Sequence, residues 1–149
     1  MDMVDEDRAR KAAMIEEFFR LSSAKDFEGF LALCTDDIHM SIPYQLPGFP
    51  DHADGKDEIR ATRTAVDRYE RYAMWASKIE PMLDPDRFLV ESKGDMVVRA
   101  TGRPYRNDYV NVFRFRDGKI AEWVSYHDPL RQMVAFGLTE LPVPSVTSG

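Results

Sequence analysis

The sequence predicts an α+β fold, with helices packed on one face of a strongly curved antiparallel sheet. Apolar residues recur at helical spacing through most of the first 72 residues, and the pattern then changes to the two-residue period of strands. Neither an internal repeat nor a shift in composition divides the 149 residues. We therefore expect a single domain over 1–149, with loosely ordered tails at about 1–7 and 140–149.

The first part of the chain contains three predicted helices and one strand. The first helix follows a cap at Asp5 or Asp7 and carries its apolar residues on one stripe. A short helix over AKDFEGFLALC and a strand over DDIHMSIPY come next, followed by a loop rich in Pro and Gly. The third helix runs from about Gly55 to Tyr72 and is capped by Asp54.

The second part of the chain reads as strands. They are predicted over WASKIEPML, RFLVES and DMVVRATG, the last two separated at Gly94. The hairpin of YRNDYVNVFRFR and KIAEWVSYH turns at Asp117-Gly118. A short helix over PLRQMVAF then ends at Gly137.

Composition narrows the classes of partner. The formal net charge of −6 argues against nucleic acid or an anionic membrane surface. One cysteine, Cys34, cannot form an internal disulfide, and the charged start of the chain lacks an apolar signal core. No apolar run approaches the roughly 20 residues of a membrane span. We expect a cytoplasmic protein.

The sequence contains no familiar cofactor motif. It has no glycine-rich phosphate loop, no HExxH and no GxSxG, and its three His and one Cys show no metal-ligand spacing. No nucleotide, haem or metal is therefore expected. Any chemistry would use ordinary side chains in a pocket.

Several stretches together resemble the nuclear transport factor 2-like superfamily, which includes ketosteroid isomerase-like and SnoaL-like polyketide cyclase proteins. They are FFRLSSAKDFEGFLALCTDDIHMSI, then G-x-x-E-I, then FRFRDGKIAEWVSYHDP. The stretches EEFF, GKDEIR, LDPDRFLVES, PYRNDYVNVF and DPLRQMVAFGL followed by PVP are similar to the phenazine-biosynthesis PhzA/PhzB branch. The resemblance implies a cone-shaped sheet, three N-terminal helices closing a deep apolar pocket, and a homodimer through the outer sheet face. It also implies a small hydrophobic ligand on which protons are moved, or which is only bound.

The acid and base positions of these relatives are altered in this chain. Phe18 stands where ketosteroid isomerase-like members have a helical tyrosine, Ile42 near their general-base aspartate, and Asn111 at their acidic donor. Ser125 replaces the glutamate of PhzA/PhzB-like members, and Thr62 lies near their pocket histidine. The resemblance therefore implies the fold more strongly than any particular reaction.

Four residues are candidates for catalysis. Strand alternation puts His127 on one face with Trp123 and Ser125, and an imidazole exchanges protons near neutral pH. Asn111 and Tyr109, on the neighbouring strand, could donate hydrogen bonds to a substrate oxygen. Asp128 could act as an acid or base. Each has a structural alternative: a bonded core histidine, a satisfied core amide, a buried phenol and a helix cap.

Eight residues are candidates for shaping the substrate site. Apolar walls, flat stacking surfaces, a phenol and a small spacer are the expected contributions, and core packing is the alternative for each aromatic residue. They are Phe18, Met40, Ile42, Tyr44, Trp75, Phe113, Trp123 and Ser125.

Three functions remain open from the sequence. The first is an enzyme that performs proton-transfer chemistry, such as isomerisation, cyclisation or dehydration, on a hydrophobic cyclic or aromatic metabolite. The second is a non-catalytic binding protein for such a ligand, favoured by the altered acid and base positions. The third is a protein-interaction module, which predicts a cone filled by aromatic side chains.

Overall fold

The computed structural model describes residues 2–140, so nearly all of the tail expected to be loose over 140–149 lies outside the described residues. Four of the five helices lie in the first part of the described residues, and four of the six strands follow them. They are α1 (Met3–Ser23), α2 (Phe27–Leu31), β1 (Cys34–Ser41), β2 (His52–Asp54), α3 (Gly55–Ala61), α4 (Arg63–Val66), β3 (Tyr69–Pro81), β4 (Arg87–Val98), β5 (Pro104–Arg116), β6 (Lys119–His127) and α5 (Pro129–Ala135).

The six strands within residues 2–140 form one sheet in the order β2-β1-β6-β5-β4-β3. The α+β class is confirmed, and the sheet is curved but not closed, because β2 and β3 remain as its edges. One pairing differs from the expected antiparallel pattern. β1 runs parallel to β6, and the long stretch of chain between them provides the connection that a parallel pair requires.

Aromatic packing holds α1 on the inner face of the sheet. Phe18 contacts Phe30, Phe113 and Trp123 edge to face, with ring centroids 5.3, 5.3 and 5.2 Å away. Phe19 lies beside Phe18 and is also buried. Burial of such a side chain contributes about 1.5–3 kcal/mol, so this cluster anchors the helix over one half of the sheet.

The first helix starts earlier than the sequence suggested. Asp2, not Asp5 or Asp7, caps it, because the Asp2 carboxylate accepts a hydrogen bond from the Asp5 backbone N–H at 2.8 Å. Residues 3–7, which we expected to be loose, are therefore helical. Asp5 instead lies in the first turn, where a carboxylate interacts favourably with the helix dipole.

The third predicted helix is instead two short helices, α3 and α4, which end at Val66 rather than at Tyr72, and β3 begins at Tyr69. Tyr69 pairs with Val98 and Tyr72 with Met96 across the sheet. Aromatic residues fit a half-buried strand well, so tertiary pairing with β4 overrides the helical spacing of this segment.

Gly94 does not separate two strands, because β4 runs unbroken through it. It faces the interior between Met96 and Tyr109. A Cβ atom built on Gly94 would lie 2.9 Å from Met96 Cε and 3.1 Å from Tyr109 Cε2. Because glycine has no Cβ atom, the side chains of Met96 and Tyr109 can pack against this part of the backbone.

No helix within residues 2–140 is both long enough and apolar enough to cross a membrane.

We expect Gly94→Val to lower the free energy of unfolding by about 1–3 kcal/mol, because the added carbons overpack this site. Urea unfolding measures the loss. Met96→Ala removes the atom nearest to the new Cβ, so the double variant should be more stable than the sum of the single effects predicts. Purely additive effects would contradict this account of Gly94.

Candidate functional site

Two adjoining lobes form a cavity between the helices and the inner face of the sheet. One lobe has a volume of about 130 Å³ and an apolar lining, and the other has a volume of about 140 Å³ and carries more polar groups. Each is close in size to an engineered cavity that holds one benzene ring. They adjoin because six residues line both: Ile42, Gln45, Ala65, Val66, Tyr72 and Trp123.

Four of the predicted wall residues line the apolar lobe: Phe18, Met40, Ile42 and Trp123. Cys34 also lines it, and its thiol contacts the Phe30 carbonyl oxygen at 3.4 Å. Burial raises the pKa of Cys34 to about 12. The thiol is therefore protonated at neutral pH and acts as a small apolar wall group rather than a nucleophile.

The polar lobe is lined by four tyrosines, His127, Ser125 and Gln132. Tyr69 and Tyr72 come from β3, and Tyr105 and Tyr109 from β5. Burial raises the pKa of all four phenols above the ordinary value of about 10. They are neutral at physiological pH and can donate hydrogen bonds.

The hydroxyls of Tyr105 and Tyr109 together hold a spare donor. Asn107 is oriented by the Asp108 and Asp128 N–H groups, which donate to its Oδ1 at 2.9 and 3.4 Å. Its Nδ2 must therefore donate, and it does so to the Tyr105 hydroxyl at 2.8 Å. The two hydroxyls lie 3.5 Å apart and can form one hydrogen bond with each other, which uses the hydrogen of one phenol. The hydrogen of the other phenol remains available to a ligand.

His127 lines the polar lobe and is held by two neighbours. Its Nε2 lies 2.7 Å from Gln132 Oε1, and its ring stacks on Tyr109 with centroids 6.1 Å apart. Ser125 lies two residues earlier on the same face and makes no hydrogen bond with His127. The pair is therefore not assembled as a nucleophile and base, and Ser125 serves as a small wall residue.

Asn111 is a satisfied core amide, not a donor to substrate. Its side chain is fully buried, and its Nδ2 donates to the Val90 carbonyl at 3.0 Å and the Ser92 hydroxyl at 2.9 Å. Its Oδ1 accepts from Trp123 Nε1 at 2.9 Å. Because both ends are engaged, Asn111 holds the Trp123 indole at the junction of the two lobes.

Asp128 and Phe113 have structural roles. The Asp128 carboxylate accepts from the Leu130 N–H at 2.9 Å and caps α5, so it is a helix cap rather than a catalytic acid. Phe113 is fully buried between Phe18 and Trp123 and lies behind the cavity wall rather than in it.

Trp75 and Tyr44 do not line the cavity. Trp75 is 45% exposed and lies opposite Lys93 on the outer face of the sheet, because its neighbour Met74 takes the inward position. Tyr44 is 56% exposed and packs against Tyr126, with centroids 5.4 Å apart, also on the outer side. The alternation of side chains along a strand does not by itself show which of the two sets of residues faces the cavity.

The segment 55–66, which contains α3 and α4, contributes only uncharged residues to the cavity: Ile59, Thr62, Ala65 and Val66. Arg60 instead pairs with Glu28 on the surface, and Arg63 lies over the Phe27 ring. Within residues 2–140, no group of three or more His, Cys, Asp or Glu is arranged to hold a metal ion.

Five polar residues that line the polar lobe are not among the candidates predicted from the sequence. Tyr69 and Tyr72 were assigned to a helix, and Gln45 and Gln132 lie in a loop and a short helix with no recognisable motif. Tyr105 could have been found, because it alternates with Asn107, Tyr109 and Asn111 along YRNDYVN and so shares their face.

The open α+β sheet with helices over an internal cavity is the architecture of nuclear transport factor 2-like proteins. A family model described as the SnoaL-like domain matches residues 15–123. The chain belongs to this family, which confirms the resemblance noted from the sequence.

Relatives agree with this assignment. A PhzA/B-like protein of Pseudomonas aeruginosa, PA3332, is 28% identical over 121 residues, which cover 81% of this chain and 86% of that protein. The crystal structure of a proposed isomerase from Bacillus subtilis superposes with a TM-score of 0.80 at 25% identity, covering 91% of this chain and 99% of the other. The phenazine biosynthesis-related protein phzb2 of Pseudomonas aeruginosa superposes with a TM-score of 0.77 at 18% identity, covering 98% and 97% of the two chains.

We expect the protein to lose stability at alkaline pH. Cys34 and the four cavity tyrosines have raised pKa values in the folded state, so folding retains protons that the unfolded chain releases. Their contribution is complete below the ordinary values of about 8.5 to 10 and is lost as the pH rises through the folded-state values. Urea unfolding between about pH 8 and pH 11.5 should therefore show a falling free energy of unfolding.

The phenolate absorbance provides a direct check. In a Tyr44→Phe, Tyr126→Phe background, which retains only the cavity phenols, the absorbance should rise together with unfolding and not before it. Titration of these phenols near pH 10 in the folded protein would contradict the prediction.

Proposed function

We propose that the protein is a small-molecule enzyme that catalyses acid/base proton transfer on a hydrophobic cyclic or aromatic metabolite, without a cofactor. The observation that carries this proposal is the pairing, in one lobe, of an imidazole with a spare phenolic hydrogen. Membership of the SnoaL-like family and the similarity to a proposed isomerase support it.

The chemistry follows from the two groups. His127 has one ring nitrogen bonded to Gln132, and the other, Nδ1, makes no hydrogen bond within residues 2–140. Nδ1 would take a proton from a carbon beside a substrate carbonyl, and the bonding electrons would move to the carbonyl oxygen. The spare phenolic hydrogen of Tyr105 and Tyr109 would stabilise the resulting enolate oxygen. Return of the proton to a different carbon gives isomerisation, and its transfer to a leaving hydroxyl gives dehydration.

The cavity indicates the shape of the substrate. A two-lobed volume suits two fused or linked rings, with the apolar end against Phe18 and Met40 and the oxygen-bearing end among the tyrosines. The Trp123 indole at the junction, fixed by Asn111, offers a flat surface for a planar ligand.

A non-catalytic binding protein is the second candidate. Phe18 and Ile42 line the cavity where relatives carry reactive groups, and both are apolar. A binding protein needs the same lobes but no proton transfer. The two lobes count against the protein-interaction module, which requires a filled cone.

We expect His127→Gln to reduce the rate of proton transfer by about 10²–10⁴-fold, because the substituted side chain cannot serve as a base. Hydrogen–deuterium exchange at the carbon beside the carbonyl, followed by NMR across a panel of cyclic and aromatic ketones in D₂O, detects this step without knowledge of the net reaction. His39→Gln is the matched control, because His39 bonds to Asp54 away from the cavity. Ketones that bind without faster exchange would favour the binding protein.

We also propose a homodimer through the outer face of the sheet. Val110 and Tyr126 pair across β5 and β6 and are 43 and 37% exposed there, and Trp75 on β3 is 45% exposed. A stable interface buries at least about 1,000 Å² in total, and a long, curved sheet can provide such an area.

Sedimentation tests the dimer. Val110→Glu should convert it to monomer, because a carboxylate would be buried without a partner. Leu83→Glu is the control, since Leu83 is a fully exposed apolar residue in the turn after β3. A wild-type chain that sediments as a monomer at every concentration would refute the proposal.

We further propose a cytoplasmic location. Cys34 is a buried free thiol, and the chain has no second cysteine with which to form a disulfide.

A further inference from the structure

We infer that Gln45 and Gln132 are positioning residues that fix the tautomer of His127, with the proton on Nε2 and the basic lone pair on Nδ1. The importance of this tautomer for catalysis rests on the proposed function, in which His127 is the base. The tautomer itself follows from hydrogen bonding alone.

Two backbone groups orient the first amide. The Leu46 N–H lies 3.0 Å from one end of the Gln45 side chain, and the Pro50 carbonyl oxygen lies 3.2 Å from the other. A backbone N–H can only donate and a carbonyl can only accept. The end of Gln45 near Leu46 is therefore its oxygen, and the end near Pro50 is its nitrogen.

The orientation passes to the second amide and then to the imidazole. Gln132 approaches the Gln45 oxygen at 3.0 Å, so the atom that makes this contact must be the Gln132 nitrogen. The Gln132 oxygen is then the atom 2.7 Å from His127 Nε2, which must carry a proton to make this bond. One ring nitrogen is protonated in neutral imidazole, so Nδ1 holds the lone pair.

The hydrogen bonds that run from Gln45 through Gln132 to His127 form a relay, and this relay joins three separate parts of the fold. Gln45 lies in the loop between β1 and β2, Gln132 on α5, and His127 at the end of β6. Gln132 is 3% exposed, so water does not readily replace its bonds. Both relay side chains are uncharged, so they orient the imidazole without placing a carboxylate against it.

The surroundings of His127 do not offer another way to set the tautomer. Tyr109 stacks on the ring and makes no hydrogen bond with it. The neighbouring carboxylate, Asp128, is engaged with the Leu130 N–H and with Arg131. The relay is thus the one hydrogen-bonded partner of the ring within residues 2–140.

The other two histidines provide internal controls. His39 Nδ1 bonds to Asp54 at 2.6 Å, and His52 Nδ1 bonds to Asp51 at 2.7 Å. A carboxylate accepts, so these rings hold a proton on Nδ1. His127 should therefore show the opposite tautomer from both in the same molecule.

Long-range ¹H–¹⁵N correlation NMR of uniformly ¹⁵N-labelled protein distinguishes the tautomers. The spectra are recorded at an alkaline pH at which the ring ¹⁵N shifts no longer change with pH. The His127 signals are assigned by their loss in His127→Gln. We expect a protonated Nε2 for His127 and a protonated Nδ1 for His39 and His52. A protonated Nδ1 in wild-type His127 overturns the inference.

Gln45 tests the relay at a distance, because it does not contact His127. Gln45→Met removes the acceptor that orients Gln132, so the amide can turn and the averaged ¹⁵N shifts of His127 should move toward a tautomer mixture. Gln45→Glu loses the donor to Pro50 but keeps the oxygen that accepts from Leu46 and Gln132, so it should retain the wild-type pattern. Ile42→Val, which alters the lining of both lobes outside the relay, should also retain it.

An unchanged His127 pattern in Gln45→Met refutes the relay, provided that circular dichroism shows a folded protein. If Gln45→Met does not fold, the wild-type tautomer remains decisive. The NMR result does not depend on turnover, so an absence of catalysis with a correct tautomer pattern refutes the proposed function and leaves the relay standing.

Discussion

The register between β5 and β6 is the constraint on which the rest of the site depends. It sets Phe113 opposite Trp123, Asn111 opposite Ser125, and Tyr109 opposite His127. Because side chains alternate along a strand, a slip of one residue would turn this entire row to the outer face. The apolar end of the row packs under α1, which fixes its direction, and the polar end then faces the open part of the cavity.

Amide side chains anchored to the backbone organise the polar end. Asn107 is oriented by two N–H groups and directs Tyr105, Asn111 donates to the Val90 carbonyl and holds Trp123, and Gln45 is set by Leu46 and Pro50. Each converts a fixed backbone group into a defined orientation of a cavity side chain. An amide does not change charge with pH, so its donor and acceptor roles in this arrangement stay the same as the pH changes.

Much of the fold was predictable because it rests on local patterns. The long hairpin, the inward row of β6 and the apolar stripe of α1 all follow from spacing that the burial pattern reproduces. The errors occurred where pairing outweighed spacing. Tyr69 and Tyr72 fit a helical pattern but pair with β4, and Gly94 looks like a break but makes room for Tyr109.

The sequence by itself determined the α+β class, the family resemblance, and the placement of His127, Ser125 and Trp123 on one face, since these depend on periodicity and on the order of motifs. Only the tertiary structure decided that Asn111 is consumed by a core network, that Trp75 and Tyr44 lie outside, and that Gln45 and Gln132 reach His127. The reason is physical. A hydrogen bond between residues 87 positions apart, such as that from Gln132 to Gln45, leaves no local pattern in the chain. It exists only once the sheet has brought the loop and α5 together.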